Sequence, residues 1–311
     1  MIVVSQMNKV SCVLFGLAMV LLTGPAPAFA ATHQSAKTNA RRGVIARDPY
    51  LGAIVIDMAT SKVLFEDHAD VKGYPASVLK LMDLFVILDK IEQKELSLRD
   101  PVPVSAKASQ ASPSKVWLQP GETFSVEEML YALMVQSAND AAVALAEKVG
   151  GSVDGFLELM NRKAQELGMS NTVFHSVNGL PPAHGRSHDV TTARDLALLC
   201  RELLSKHPEA LRYTSTRERT FRPNAGKKTV RMTNHNHLLG HLAGCDGLKT
   251  GFIAQAGYSL AVTAWRNGHR VIAVVFDSVD SDTRDEKATQ LVAKGFTALS
   301  GARLTTAASH P

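Results

Sequence analysis

Short runs of β-forming residues lie near both ends of this chain, and a long helical stretch separates them. Near the start, apolar runs over 51–57 and 62–66 flank a polar turn, which predicts a β-hairpin. Near the end, the runs 258–265 and 269–276 flank an Asn-Gly turn, a strong signal for a tight hairpin. One antiparallel sheet built from both chain ends, with helices packed on it, is therefore the economical architecture.

The middle of the chain shows the period of amphipathic helices. Apolar residues at i, i+3, i+4 and i+7 predict a helix over 77–95. Ser125 stands three residues before Glu128, and Thr191 begins another helix, so both are candidate N-caps. The same pattern predicts further helices over 126–137, 140–149, 153–167, 191–205 and 283–299. We expect an α/β (α+β) fold with a mostly helical lobe beside the sheet, and a site in the cleft between them.

The first thirty residues have the pattern of a secretory signal peptide. Lys9 precedes an apolar run over 12–22, and small residues at Ala28 and Ala30 suit a signal peptidase. The run is too short to span the roughly 30 Å hydrocarbon core of a bilayer, so a retained N-terminal anchor is the weaker alternative. We therefore expect cleavage of 1–30 and export to the periplasm or the outer side of the cytoplasmic membrane. The polar segment 31–47 is expected to be a flexible leader.

Composition and charge exclude several classes of protein. With 45% hydrophobic and 20% charged residues, the 311-residue chain is neither disordered nor a disulfide scaffold. A net charge of +5 without any nucleic-acid-reading motif gives no case for a nucleic-acid partner. Cys200 lies in an apolar helical stretch and is expected to be a buried thiol, whereas pairing with Cys245 stays open. His235, His237 and His241 have loose metal-like spacing without supporting ligands, so we expect no metal site.

Three short motifs carry the chemistry, and the first is Ser77-Val78-Leu79-Lys80. Pro75 marks a helix entry, so Ser77 should lie near a helix start with Lys80 one turn later on the same face. An amine then reaches the hydroxyl, and the free N–H groups of the helix start suit a developing oxyanion. Alone the motif is weak, because the same pattern recurs at 112–115, in an apparent loop.

The second and third motifs are also ambiguous when taken singly. Ser137-Ala138-Asn139 lies in a turn between two helices, where such side chains usually bond local backbone, and 176–178 repeats its pattern. Lys249-Thr250-Gly251 directly precedes the terminal hairpin, so it belongs on or beside an edge strand, where a lysine also protects the edge. The order and placement of all three motifs together carry the argument.

In that order the motifs resemble those of the serine penicillin-recognising enzymes. More narrowly, the chain is similar to the D-alanyl-D-alanine carboxypeptidases of the low-molecular-mass penicillin-binding proteins, peptidase family S11. The resemblance runs from about 49 to 296 and implies a β-lactamase/DD-peptidase-like domain over 48–300. Besides the motifs it rests on Gln119-Pro120-Gly121, Asp140-Ala141, Phe174, Gly179-Leu180, residues 192–197, Asn234, Asn236, Leu238-Leu239 and Ala256-Gly257-Tyr258.

The resemblance implies a role for each motif residue. Ser77 is the acyl-ester nucleophile, Lys80 the proton acceptor and Ser137 a proton relay. Substrate is held by Asn139 and by the third motif, and the oxyanion hole is formed by backbone N–H groups, so the remaining implied site residues are Lys249, Thr250, Gly251, Ser77 and Phe252. The implied partners are a peptidoglycan stem peptide ending in D-Ala-D-Ala and β-lactam antibiotics as covalent inhibitors, without metal or cofactor.

Departures from the family pattern leave alternatives open. Phe252 follows the third motif where relatives often carry His or Tyr, which leaves fine substrate preference open. The polar stretch 301–311 has no apolar face, so neither a C-terminal β domain nor a membrane anchor is expected there. Relatives without that domain include endopeptidases of peptide crosslinks, so this activity is the first alternative.

Two further activities and one surface were weighed. A class A β-lactamase needs a Glu-x-x-Leu-Asn segment after the second motif, and none occurs between Asn139 and Cys200. A non-catalytic peptidoglycan-binding protein would not need intact motif residues. The basic stretch 212–231 is either a solvated face or a surface for anionic wall polymer.

Overall fold

The computed structural model of the chain describes residues 45–182, 187–222 and 226–307. The strands are β1 Gly52–Asp57, β2 Val63–Asp67, β3 Pro101–Pro103, β4 Thr123–Ser125, β5 Glu218–Phe221, β6 Val230–Thr233, β7 Cys245–Ile253, β8 Gly257–Arg266 and β9 His269–Ser278. The helices are α1 Lys80–Glu92, α2 Ala106–Gln110, α3 Val126–Val135, α4 Asn139–Gly150, α5 Val153–Glu166, α6 Ala193–Lys206, α7 Ala210–Thr214 and α8 Ser281–Ala307. A short 3₁₀ helix, Ala76–Leu79, leads directly into α1.

Both predicted hairpins join one five-stranded antiparallel sheet. The strand order is β2-β1-β9-β8-β7, so the N-terminal hairpin pairs with the C-terminal one through β1 and β9. This confirms the predicted fold class. The third motif lies on β7, at the edge of the sheet, where the sequence placed it.

Helices cover both faces of the sheet. On one face α8 packs against apolar side chains from four strands, including Val55, Val262 and Val271. The other face, with Ile54 and Val274, joins a larger core shared with α1, α6 and the helical lobe. Because both faces are covered, every residue of β1 is buried. The site therefore lies where the sheet edge meets the helical lobe.

The boundaries of several elements differ from the sequence expectation. The first motif begins in a 3₁₀ helix, and the α-helix starts only at Lys80. The helix expected over 283–299 extends over Ser281–Ala307. Ser125 and Glu128 form the predicted capping box, but the cap of α6 is Thr192 and not Thr191, since Thr192 accepts the hydrogen bond from the N–H of Asp195. The short strands β3 to β6 lack a clear alternating pattern and were not predicted.

The predicted signal peptide, 1–30, and leader residues 31–44 lie outside the described residues. At the end of the leader, the N–H of Ile45 donates to the carbonyl of Gln255 (2.9 Å), and Arg47 forms a bridge with Ser278. Over 45–182, 187–222 and 226–307, no helix has both the length and the apolar character needed to cross a membrane.

Candidate active site

Lys80 is the centre of the site. Its Nζ lies 2.9 Å from Ser77 Oγ and 2.8 Å from Asn139 Oδ1. It is also 3.3 Å from Ser137 Oγ, 3.1 Å from the Ser137 carbonyl and 3.4 Å from the Asn178 carbonyl. An ammonium has three protons for these five oxygens, whereas a neutral amine also offers a lone pair that can accept the Ser77 proton.

The 3₁₀ turn explains why Ser77 and Lys80 meet. In a 3₁₀ helix the side chains at i and i+3 eclipse one another, so the hydroxyl and the amine point the same way. The turn is entered through Ala76 at φ 45°, a left-handed conformation that a residue with a side chain rarely adopts. Strain of this kind, of the order of 1–3 kcal/mol, persists where the surroundings hold the backbone in place.

Ser137 and Asn139 enter the site from the turn between α3 and α4. Ser137 has φ 58° and is almost fully buried, so its side chain and its carbonyl both approach Lys80. The N–H of Asn139 donates to the carbonyl of Ser114 (2.8 Å), which fixes the start of α4. The first two motifs are thus brought together around a single amine.

Asp140 and Asp189, which the sequence reasoning did not single out, hold two loops at the rim of the site. Asp140 accepts hydrogen bonds from the N–H groups of Val116 and Leu118 (3.0–3.2 Å). Asp189 accepts from the hydroxyl of Ser176 at 2.6 Å and from its N–H at 2.8 Å. Each loop belongs to a repeat of a motif pattern, at 112–115 and 176–178, so these repeats contribute backbone and wall rather than catalytic side chains.

The third motif forms the opposite wall of a cleft of about 370 Å³. Gly251 has no room for a side chain, because a Cβ there would lie 2.7 Å from the Pro75 carbonyl oxygen. This close approach places β7 directly against the nucleophile turn. The cleft is lined by Ser77, Ser137, Asn139, Thr250, Gly251 and Phe252, together with Leu180, His235 and Arg284.

Two cationic side chains lie almost fully buried at this cleft or directly behind it. Lys249 is 3% exposed, and its Nζ donates to the Thr250 carbonyl (3.1 Å). Arg284, from α8, is 4% exposed and donates from Nε to Asp285 Oδ1 (2.8 Å). Its Nη2 lies 2.7 Å from the same oxygen without hydrogen-bond geometry and has no other partner among the described residues. The arrangement suits an anion.

Burial controls the protonation of the site. It lowers the pKa of Lys80 to about 7, although the carboxylates of Asp83 and Asp140 oppose the shift. Burial also lowers the pKa of Lys249 well below its usual range, and the positive charges of Lys80 and Arg284 add to that effect. A substrate carboxylate entering the cleft would favour the charged form of Lys249.

His235 and Arg284 are cleft residues that sequence reasoning missed. The edge of His235 is open to solvent, yet its pKa is lowered to about 4 by desolvation and by Lys249 and Lys80. The imidazole is therefore neutral at physiological pH. No local pattern marks Arg284, whereas the histidines at 235, 237 and 241 were noticed only for their metal-like spacing.

Other candidate features lie apart from the cleft. Cys200 is buried and Cys245 partly buried, and both are free thiols. A larger pocket, about 970 Å³, is lined by α5 and by the loop around Pro181, with none of the described motif residues. In the basic stretch, three arginines are paired with glutamates, as Arg212–Glu127, Arg222–Glu122 and Arg231–Glu218. Much of that charge is balanced within the protein.

Comparison with known proteins places this geometry in a family. A family model described as D-alanyl-D-alanine carboxypeptidase (Peptidase S11) matches residues 49–280. The chain is 34% identical over 244 residues to the D-alanyl-D-alanine carboxypeptidase DacF of Bacillus subtilis, covering 78% of this chain and 61% of that protein. It is 36% identical over 250 residues to DacC of Escherichia coli, covering 78% and 60%. The chain thus spans about three fifths of the length of these relatives.

Other similarities extend the comparison to an endopeptidase and to solved structures. The chain is 32% identical over 241 residues to the D-alanyl-D-alanine endopeptidase of Pseudomonas aeruginosa, covering 77% of this chain and 74% of that protein. The carboxypeptidase DacD of Francisella tularensis superposes with a TM-score of 0.74 at 28% identity, covering 81% and 71%. Penicillin-binding protein D2 of Listeria monocytogenes, in its ampicillin-bound form, gives 0.71 at 34% identity, covering 80% and 97%.

Proposed function

Because the chain belongs to the D-alanyl-D-alanine carboxypeptidase family, Peptidase S11, we propose that it is a serine-type D-Ala-D-Ala carboxypeptidase. It removes the terminal D-alanine from peptidoglycan stem peptides through an acyl-enzyme. The observation that carries this proposal is the position of Lys80 Nζ, 2.9 Å from Ser77 Oγ and within reach of both polar side chains of the second motif.

In the acylation step, Ser77 Oγ attacks the carbonyl carbon between the two D-alanines while its proton passes to neutral Lys80. The carbonyl oxygen becomes an oxyanion, which accepts hydrogen bonds from the N–H groups of Ser77 and Phe252. Donors of this kind are each worth about 2.7–4 kcal/mol in acyl transfer. The close approach of Gly251 to the nucleophile turn supports this pairing of donors from the turn and from β7.

Collapse of the tetrahedral intermediate breaks the C–N bond and leaves the peptide esterified to Ser77. The departing amine takes a proton from Lys80 through Ser137 Oγ, which lies 3.3 Å from Lys80 Nζ. Water then attacks the ester, Lys80 accepts its proton, and Ser77 Oγ regains a proton as it leaves. Asn139 orients Lys80, because its Oδ1 accepts a hydrogen bond from that amine.

The terminal carboxylate of the substrate binds at the wall formed by Lys249, Thr250 and Gly251. Arg284 lies in the same cleft with an unpartnered nitrogen, so it adds a second cation toward the carboxylate. β-Lactams acylate Ser77 by the same attack, since one structural relative is known in an ampicillin-bound form. The substrate places the enzyme at the cell wall, in the periplasm or on the outer side of the cytoplasmic membrane.

Digestion of purified wall fragments, followed by mass spectrometry of the products, tests the proposal. A carboxypeptidase releases free D-alanine from monomeric stem peptides. Splitting of crosslinked dimers without release of D-alanine would show an endopeptidase, the second candidate, which the similarity to the Pseudomonas aeruginosa endopeptidase favours. Failure to turn over either substrate or to form a penicillin adduct would identify a non-catalytic wall-binding protein.

Lys249→Ala is expected to lower kcat/KM for substrates with a free terminal carboxylate about 10- to 150-fold, the value of a charge-assisted hydrogen bond of about 1.5–3 kcal/mol. Burial disfavours the charged amine in the empty cleft, so its loss should leave the melting temperature nearly unchanged.

The control for Lys249→Ala is a substrate whose terminal carboxylate is replaced by an amide. Wild type should discriminate between the two substrates, and the variant should not. A variant that loses thermal stability and activity in parallel, and still discriminates, would show that Lys249 is structural.

A further inference from the structure

A β-bulge interrupts the ladder between β8 and β9 beside the nucleophile turn. Tyr258 pairs with Ser278 and Leu260 pairs with Val275, so Ser259 alone faces two residues of β9. One of these is Asp277, whose φ is 54°. Bulges of this kind redirect a side chain and are frequent next to active sites.

The redirected carboxyl of Asp277 links two parts of the protein. Its Oδ1 accepts a hydrogen bond from Ser259 Oγ (3.0 Å), and its own N–H donates back to that hydroxyl (2.9 Å). Its Oδ2 accepts from the N–H of Tyr74 (3.2 Å), three residues before Ser77. Asp277 is fully buried, and its carboxyl has no cationic partner among the described residues.

The backbone before Ser77 is packed closely between β9 and β7. A Cβ on Gly73 would lie 2.2 Å from Asp277 Oδ2, and one on Gly251 would lie 2.7 Å from the Pro75 carbonyl oxygen. Ser259, which holds Asp277, pairs directly with Gly251 in the sheet. A continuous set of contacts therefore runs from the third motif through β8 and β9 to Tyr74.

We propose that Asp277 is a positioning residue, whose carboxyl fixes the backbone at Tyr74 and thereby sets the spacing between Ser77 and the Phe252 N–H on β7. This inference rests on the proposed acyl-transfer function. The hydroxyl and the oxyanion donors come from two separate elements, and a displacement of about 1 Å between such groups costs about 100-fold in rate. Asp277 contacts neither the cleft nor Lys80, so its effect is on geometry alone.

Asp277→Gly tests the proposal without adding backbone strain, because glycine adopts φ 54° freely. Gly73 is held independently by two hydrogen bonds to Thr191 (2.9 and 3.0 Å), so the chain should keep its path up to that residue. In stopped-flow measurements with a fluorescent penicillin, we expect the acylation rate constant to fall about 10- to 100-fold. The dissociation constant of the preceding non-covalent complex should change less than about threefold.

Asp277→Asn should restore acylation to within about threefold of wild type, because its amide oxygen can still accept from Tyr74 and its amide nitrogen can donate to Ser259 Oγ. The matched control is Asp57→Gly. Asp57 is a buried carboxylate at the opposite end of the same strand pair, where it accepts from Thr60 Oγ1. This control should lower the melting temperature and leave the acylation rate constant unchanged.

A folded Asp277→Gly variant that acylates at the wild-type rate would overturn the proposal, as would an Asp277→Asn variant as slow as Asp277→Gly. If the glycine variant does not fold, Asp277→Ser provides the same comparison, since its hydroxyl is too short to reach Tyr74. Absence of any adduct on the wild type would instead refute the proposed function.

Discussion

Ser77→Ala is expected to abolish covalent labelling by penicillin and to lower the release of D-alanine at least about 10⁴-fold. The hydroxyl is the only described side-chain group that joins the 3₁₀ turn to Lys80, at 2.9 Å. Lys80 keeps its contacts with Ser137 and Asn139 in the variant, so the fold should persist. Labelling of wild type, followed by proteolysis and mass spectrometry, should place the adduct on the peptide that contains Ser77.

Ser112→Ala is the matched control, because Ser112 begins the second Ser-x-x-Lys pattern and lies exposed in a loop. Its labelling should equal that of wild type. Ser137 is the strongest competitor for the adduct, since its hydroxyl also lies near Lys80 Nζ (3.3 Å). An adduct on Ser137 or Ser112, or undiminished labelling of Ser77→Ala, would contradict the assignment of the nucleophile.

The sheet could be predicted from sequence because its signals are local. Alternating β-formers around Asn267-Gly268 specify the terminal hairpin without reference to the rest of the chain, and β8 and β9 meet there as expected. The short strands β3 to β6 carry no such signal. Each has three or four residues, and β3 begins and ends with proline, so pairing in the folded chain decides their structure.

The site residues could be proposed from motif order, but their geometry could not. The sequence placed Ser77 at the start of an α-helix, whereas the structure has a 3₁₀ turn that aligns Ser77 with Lys80. The sequence argument also attributed the lowered pKa of Lys80 partly to repulsion by Lys249. In the structure burial is the largest cause, and it depends on side chains distant in sequence.

Arg284 and Asp277 show a second limit of sequence reasoning. Arg284 follows the third motif by more than thirty residues and reaches the cleft only because α8 begins beside β7. Asp277 reads as an ordinary polar residue at the end of a strand until the bulge turns its carboxyl toward Tyr74. Both contacts are long-range, and no periodicity or spacing in the sequence encodes them.

Lys80→Arg is expected to reduce acylation by about 10²- to 10⁴-fold, the usual contribution of a general base. Arginine keeps the positive charge but holds its proton at every accessible pH. In wild type, burial lowers the pKa of Lys80 to about 7, from a usual 10.5. The neutral amine is the base, so the rate should rise about tenfold per pH unit below that pKa and level off above it.

The measurement is the acylation rate constant of a β-lactam reporter between pH 5 and pH 9, approximately, for wild type and variant. Lys115→Arg is the matched control, since Lys115 ends the second Ser-x-x-Lys pattern and lies outside the contacts of Lys80; its profile should coincide with that of wild type. Circular dichroism establishes that the Lys80→Arg variant is folded. If the folded variant acylates at nearly the wild-type rate with the same pH midpoint, Lys80 is not the base. Ser137, the remaining hydroxyl beside Ser77, or solvent would then have to accept the proton.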